Sequence, residues 1–161
     1  MDVRTAFIIV IFLLVSYTGA SGQPIQLIDG DGIAVLSSLS NDTTYILNFW
    51  ATWCSPCVEE IAIFEKIHRD KMNPKVKVIL VSLDFINQVD SRVIPFLEKK
   101  GISAEVRIMT DTDYNAWIDQ VDPSWTGAIP ATLIYNRDRR VFLEKELSYN
   151  ELVKQIHQIQ H

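Results

Sequence analysis

The spacing of hydrophobic and polar positions changes along the chain and predicts alternating strands and helices. Residues 45–50 (YILNFW) form a continuous β-prone run, which is typical of a buried strand. After Cys54 the spacing becomes helical, and residues 75–83 (KVKVILVSL) alternate at first and then become fully apolar, as a central strand does. Further helices are predicted over 90–100, 114–120 and 151–160, and further strands over 106–109, 131–135 and 140–144.

The first residues of this pattern predict a short hairpin. Residues 26–28 and 33–36 flank the stretch Asp29-Gly-Asp-Gly32, which has the composition of a turn. The element order is then β-α-β-α-β-α followed by β-β-α. Strands that alternate with helices indicate a parallel sheet, and the last two strands add an antiparallel hairpin to it. The expected fold class is therefore α/β, with a central mixed sheet covered by helices on both faces.

The N-terminal segment has the features of a secretory signal. Residues 6–15 (AFIIVIFLLV) are uninterruptedly apolar, Arg4 and the amino terminus precede them, and small residues follow up to Gly22. We expect export, with cleavage after Ala20 or Gly22. The apolar run is shorter than the roughly 20 residues of a spanning helix, and an uncleaved membrane anchor is the alternative. Residues 1–22 are assigned to this segment and 23–161 to one domain.

Composition narrows the class of protein further. The 161 residues are 48% hydrophobic, which suits a single globular domain. The 15 Lys and Arg against 20 Asp and Glu give a net charge of −5 without a basic cluster, which disfavours a nucleic-acid binder. Two cysteines exclude a disulfide-rich scaffold and a Cys₄ zinc site. We expect no metal and no organic cofactor.

Cys54 and Cys57 stand where the strand at 45–50 gives way to a helix. The unpaired N–H groups of the first helical turn carry the positive end of the helix dipole, so they stabilise a thiolate. One helical turn brings Cys57 back beside Cys54, close enough for a disulfide. We expect Cys54 to be an exposed nucleophile of low pKa and Cys57 to resolve the mixed disulfide. A structural disulfide and a metal site are the alternatives.

Two motifs carry a resemblance to a known family. NFWATWCSPC at 48–57, followed by Val-Glu-Glu60, and Gly127-Ala-Ile-Pro-Ala-Thr132 before the last hairpin resemble the thioredoxin superfamily, in particular its exported TlpA/ResA-like branch. The resemblance covers about residues 24–160 and implies a thioredoxin-like fold. It also implies that the Ile129–Pro130 peptide bond is cis and faces the disulfide, where the Ile129 backbone would pair with an extended substrate. Trp53 is placed for the substrate surface beside the disulfide.

Glu60 is the third candidate catalytic residue. It lies three residues after Cys57 and projects from the same side of the helix, whereas Glu59 points toward solvent. A partly buried carboxylate there would take the Cys57 proton during resolution, and the resemblance implies that role. Asn48 stands where cytosolic thioredoxins carry a buried aspartate, and its amide cannot accept a proton. A glutamate on the helix surface is the alternative.

These observations predict an exported thiol-disulfide oxidoreductase that reduces disulfides of protein substrates through Cys54 and Cys57. Its electrons would come from a membrane thiol relay, and the resemblance extends to cytochrome c maturation. One alternative is a periplasmic disulfide donor, and another is a non-catalytic binding module with a structural disulfide. A peroxidase is disfavoured because Ala51 occupies the place of a peroxide-site threonine.

Overall fold

A computed structural model describes residues 25–70, 73 and 75–161, and the predicted signal segment at 1–22 lies outside them. Short 3₁₀ turns at Ile86–Gln88 and Tyr114–Ala116 and a π-helical turn at Val89–Val93 join the main elements. In chain order the main elements are β1 (Gln26–Ile28), α1 (Gly30–Leu36), β2 (Thr44–Trp50), α2 (Ser55–Arg69), β3 (Val76–Ser82), α3 (Ile94–Lys100), β4 (Glu105–Met109), α4 (Ile118–Val121), β5 (Ala131–Tyr135), β6 (Arg140–Leu143) and α5 (Tyr149–Gln160).

The strands form one mixed sheet in the order β1-β4-β3-β2-β5-β6. The pairs β1–β4, β4–β3 and β3–β2 are parallel, whereas β5 runs antiparallel to both β2 and β6. In this register Asn48 of β2 lies beside Thr132 of β5, and Phe49 lies beside Ala131. The residues that precede β5 therefore lie next to the residues that follow β2.

Helices cover both faces of the sheet, and β2 lies near its centre with all seven residues buried. One face of β2, which carries Ile46 and Trp50, packs against α2, α3 and α5. The other face, which carries Leu47 and Phe49, packs against α1 and α4. A strand that is buried on both faces reads as a continuous apolar run, as this one does. The predicted α/β class with a mixed central sheet is confirmed.

The predicted hairpin at residues 26–36 is wrong, because residues 33–36 belong to α1. Asp29 is the N-cap of this helix, and its Oδ1 accepts a hydrogen bond from the Gly32 amide at 2.8 Å. Buried Ile33 and Leu36 lie three residues apart, on one face of the helix. β1 pairs instead with β4, in parallel. An Asp-Gly-Asp-Gly stretch serves as an N-cap as readily as it serves as a turn.

The other predicted elements are present with shifted ends. The predicted helix at 90–100 begins in the π-helical turn and ends at Gly101, whose φ of 64° is the left-handed conformation that glycine adopts most easily. The predicted helix at 114–120 is divided between a 3₁₀ turn and α4. Over the described residues, none of the helices combines the length and the apolar character that crossing a membrane requires.

Replacement of Asp29 by alanine is expected to lower the free energy of unfolding by about 1 kcal/mol, because the Gly32 amide loses its side-chain acceptor. Asp31→Ala is the matched control, since exposed Asp31 lies in the first turn of the same helix but does not cap it. Urea denaturation of the two oxidised variants measures the difference. An equal loss in both variants would contradict the capping explanation.

Candidate active site

Cys54 lies at the N-terminus of α2, just beyond the end of the central strand β2. It is the N-cap residue of the helix, and its Sγ accepts a hydrogen bond from the backbone amide of Cys57 at 3.3 Å. Pro56 occupies the first turn, where its missing N–H leaves no acceptor unpaired. A disulfide joins Cys54 and Cys57, whose Cα atoms are 5.3 Å apart. The two cysteines therefore meet at the positive end of a 15-residue helix.

Both cysteines are buried, and Cys54 is less exposed than the sequence suggests. Cys54 is 6% exposed and Cys57 is completely buried, so the expectation of an exposed Cys54 is wrong for the oxidised protein. The Ile129 carbonyl oxygen lies 3.7 Å from the Sγ of Cys54 and covers part of it. Of the two residues, Cys54 nevertheless retains the larger accessible fraction.

The segment before β5 forms the opposite wall of the site. The Ile129–Pro130 peptide bond is cis, Pro130 is buried and Ile129 is partly exposed. Trp53, which directly precedes Cys54, is 58% exposed. The structure thus brings the Ile129 backbone to Cys54 and leaves a large aromatic side chain open to solvent next to the disulfide.

Glu60 is buried one turn after Cys57, and only 2% of its surface is exposed. Its Oε1 accepts a hydrogen bond from the Asn48 amide at 2.9 Å, and its Oε2 accepts one from the Leu147 backbone amide at 2.8 Å. Burial raises the pKa of Glu60 to about 7, and these two hydrogen bonds offset part of that rise. A helix-surface position is excluded. Glu59, by contrast, is exposed and accepts a hydrogen bond from Ser55.

The Asn48 side chain links Glu60 to the sheet. Its Nδ2 donates both to Glu60 and to the Thr132 hydroxyl, which lies 3.1 Å away on β5. Sequence reasoning identified Asn48 only as a residue that cannot accept a proton. The register of β2 against β5, which brings Thr132 to Asn48, is not readable from local spacing. A carboxyl whose pKa lies near 7 is suited to receiving and returning a proton at neutral pH.

Asp84 is a buried acid near the disulfide that sequence reasoning did not single out. Its carboxylate accepts hydrogen bonds from the Thr52 amide at 2.9 Å, from the Thr52 hydroxyl and from the Ser82 hydroxyl at 2.8 Å. It thereby fixes the residues before Trp53 to the end of β3. One feature of the sequence could have identified Asp84 as a candidate. It is a charged residue that directly follows the predicted strand at 75–83.

No cluster of three or more His, Cys, Asp or Glu side chains suited to a metal ion occurs in the part of the chain that the structure describes. The groups gathered at the site are the two sulfurs, the Glu60 carboxyl and the backbone groups around them. These groups can exchange a disulfide and transfer a proton.

The sheet order and the disulfide at the start of α2 define a protein of the thioredoxin-like class. Residues 19–142 match the AhpC/TSA family, and the chain belongs to that family.

Comparison with known proteins supports the assignment to the thioredoxin-like class. The thioredoxin-like protein YneN of Bacillus subtilis is 31% identical over 101 residues, which cover 56% of this chain and 53% of YneN. The thiol-disulfide oxidoreductase ResA of Bacillus subtilis is 24% identical over 154 residues, covering 86% of this chain and 80% of ResA. A solved thiol:disulfide interchange protein of Chlorobium tepidum superimposes with a TM-score of 0.62 at 20% identity, covering 88% and 100% of the two chains. The chain spans about half the length of the first two of its curated relatives.

Glu60→Gln is expected to change how the stability of the oxidised protein depends on pH. A carboxyl whose folded pKa is raised stabilises the fold fully below its unfolded pKa of 4.5, and this contribution is lost as the pH rises through about 7. Wild type should therefore lose about 3 kcal/mol relative to Glu60→Gln between those two pH values.

Urea denaturation across that pH range measures this difference, with Glu59→Gln as the control on the exposed side of the same helix. Parallel stability profiles for wild type and Glu60→Gln would show that the pKa of Glu60 is not raised.

Proposed function

We propose that the protein is a thiol-disulfide oxidoreductase that reduces disulfides of protein substrates through Cys54 and Cys57. The observation that carries this proposal is the position of the Cys54 sulfur, at a helix N-terminus and 3.7 Å from the Ile129 carbonyl. The helix end favours a thiolate, and the neighbouring backbone can hold an extended chain. The activity named for the relative ResA supports the same class of reaction.

In the first step, the Cys54 thiolate attacks a substrate disulfide. A new sulfur–sulfur bond forms between Cys54 and one substrate sulfur, and the other substrate sulfur leaves as a thiolate. The amide of Cys57, which donates to the Cys54 Sγ in the oxidised protein, stabilises negative charge on that atom. The substrate segment lies along the Ile129–Pro130 backbone and contacts Trp53.

In the second step, Cys57 releases the substrate. The Glu60 carboxylate takes the proton of the Cys57 thiol, and the resulting thiolate attacks the Cys54 sulfur of the mixed disulfide. The Cys54–Cys57 disulfide forms, and the second substrate sulfur leaves as a thiolate. Two electrons have then passed from the dithiol to the substrate. Another dithiol protein, which we place in a membrane thiol relay, returns the pair to its reduced form.

The N-terminal sequence supports a location outside the cytosol. Residues 1–22 would act as a cleaved signal or as an anchor, and residues 23–161 would form the exported domain. Substrates would then be proteins of the cell envelope that carry disulfides or thiols. The resemblance to the TlpA/ResA-like branch makes apocytochrome c one candidate substrate.

A non-catalytic binding module is the second candidate, and the low exposure of both cysteines is the observation that favours it. Equilibration of residues 23–161 in graded thiol buffers, followed by thiol trapping and Trp fluorescence, separates the candidates. A reversible potential at or below about −250 mV supports the reductase, and one near −120 mV supports a disulfide donor. A pair that resists reduction until the protein unfolds would refute both redox functions and leave the binding module.

Single substitutions test the roles of the three side chains. Cys54→Ser is expected to abolish turnover of a disulfide-containing peptide, and Cys57→Ser to accumulate the mixed disulfide with Cys54.

Glu60→Gln should slow the second step about 100-fold at pH 7 and leave the first step unchanged, because only the second step needs the proton acceptor. Rapid-quench kinetics with mass spectrometry follows both steps, and Glu59→Gln is the control. Equal rates for Glu60→Gln and wild type would remove Glu60 from the mechanism.

A further inference from the structure

Glu144 follows β6 and binds a loop on a neighbouring part of the chain. Its carboxylate accepts hydrogen bonds from the Thr126 amide at 3.2 Å, from the Thr126 hydroxyl and from the Ala128 amide at 2.9 Å. Partial burial raises the pKa of Glu144, but these hydrogen bonds outweigh it and hold the pKa below its usual value. At neutral pH the loop of residues 126–128 is therefore bound by an ionised carboxylate.

The same loop is attached to the core from its other side. The indole Nε1 of Trp125 donates to the Ala128 carbonyl at 2.9 Å, and the Trp125 ring packs on Phe49 of β2 with ring centroids 4.5 Å apart. Between these attachments, Gly127 has a φ of 93°, a conformation that disfavours other residues. Residues 126–128 are all exposed, so the position of the loop depends on these hydrogen bonds rather than on packing of its own residues.

The 126–128 loop continues directly into the backbone that faces the disulfide. Ile129 is the next residue, and its carbonyl is the group 3.7 Å from the Cys54 sulfur. A displacement of the Ala128 amide therefore moves the peptide unit that leads to Ile129. Hydrogen bonds to a carboxylate are about twice as strong as those between neutral groups, so the bonds to Glu144 hold this loop more strongly than the neutral bond from Trp125 does.

We propose that Glu144 is a positioning residue for substrate binding, which holds the 126–128 loop so that the Ile129 backbone is aligned to pair with an extended substrate segment beside Cys54. The proposal rests on the proposed function and adds to it a residue that touches neither the sulfurs nor the substrate. A loop ordered before binding loses less conformational entropy when the substrate docks. Glu144 should thus affect substrate affinity and not the chemistry at the sulfurs.

The test compares two disulfides that differ in their backbone. One is an extended peptide with an internal disulfide, and the other is hydroxyethyl disulfide, which has no peptide groups to pair with Ile129. Glu144→Ala is expected to raise the KM for the peptide about tenfold, a moderate loss of preorganisation, with kcat within about twofold of wild type. Its rate with hydroxyethyl disulfide should stay within about twofold. Glu144→Gln, which keeps one acceptor oxygen, should fall between wild type and Glu144→Ala.

Glu98→Gln is the matched control, because it makes the same charge change at an exposed position on α3. Amide hydrogen exchange gives a readout that needs no turnover. Exchange at Thr126 and Ala128 should accelerate in Glu144→Ala and stay at the wild-type rate in Glu98→Gln.

Three results would overturn the positioning role: an unchanged peptide KM, an equal loss with both disulfides, or unchanged amide exchange in the loop. Wild type that reduces neither disulfide would refute the proposed function, and the positioning role with it. If the wild-type protein reduces both disulfides and Glu144→Ala has the wild-type KM for the peptide, the positioning role alone is refuted.

Discussion

The buried carboxyl of Glu60 joins the helix that carries the cysteines to the rest of the fold. Asn48 of β2 donates to one carboxyl oxygen and the Leu147 amide, just before α5, donates to the other. A buried carboxyl without such donors would destabilise the protein by several kcal/mol. The two hydrogen bonds therefore tie α2 to the central strand β2 and to the segment before α5, in addition to the apolar packing of the helix. Cys54, at the start of that helix, lies 3.7 Å from the Ile129 carbonyl.

Much of the fold could be predicted because its signals are local. β2 reads as an uninterrupted apolar run because both of its faces are buried, and the last two strands flank an obvious turn. The stretch at 29–36 was misread because an aspartate followed by glycine suits a turn and a helix cap equally well. The partner of β1 is β4, about 80 residues further along the chain, and no local pattern encodes that pairing.

The residues of the candidate site also differ in whether a local sequence pattern predicts them. Cys54, Cys57 and Glu60 lie on successive turns of one helix, so their spacing alone places them together. The position of Ile129 came from a resemblance, since 75 residues separate it from Cys54. Neither Asp84 nor Glu144 was predicted, because each acts on a segment that is distant in the sequence. The burial of Cys54 was also missed, because the group that covers it is a backbone carbonyl, which carries no sequence signal.

The complete enclosure of Cys57 has a consequence for oxidative damage. A small oxidant that enters from solvent meets the Cys54 sulfur and converts it to a sulfenic acid. Cys57, held one helical turn away, is placed to condense with that sulfenic acid and give the disulfide. The pair is thereby returned to a form that a thiol can reduce, and irreversible sulfinic acid is avoided. Unequal access to the two sulfurs thus protects the pair against irreversible oxidation.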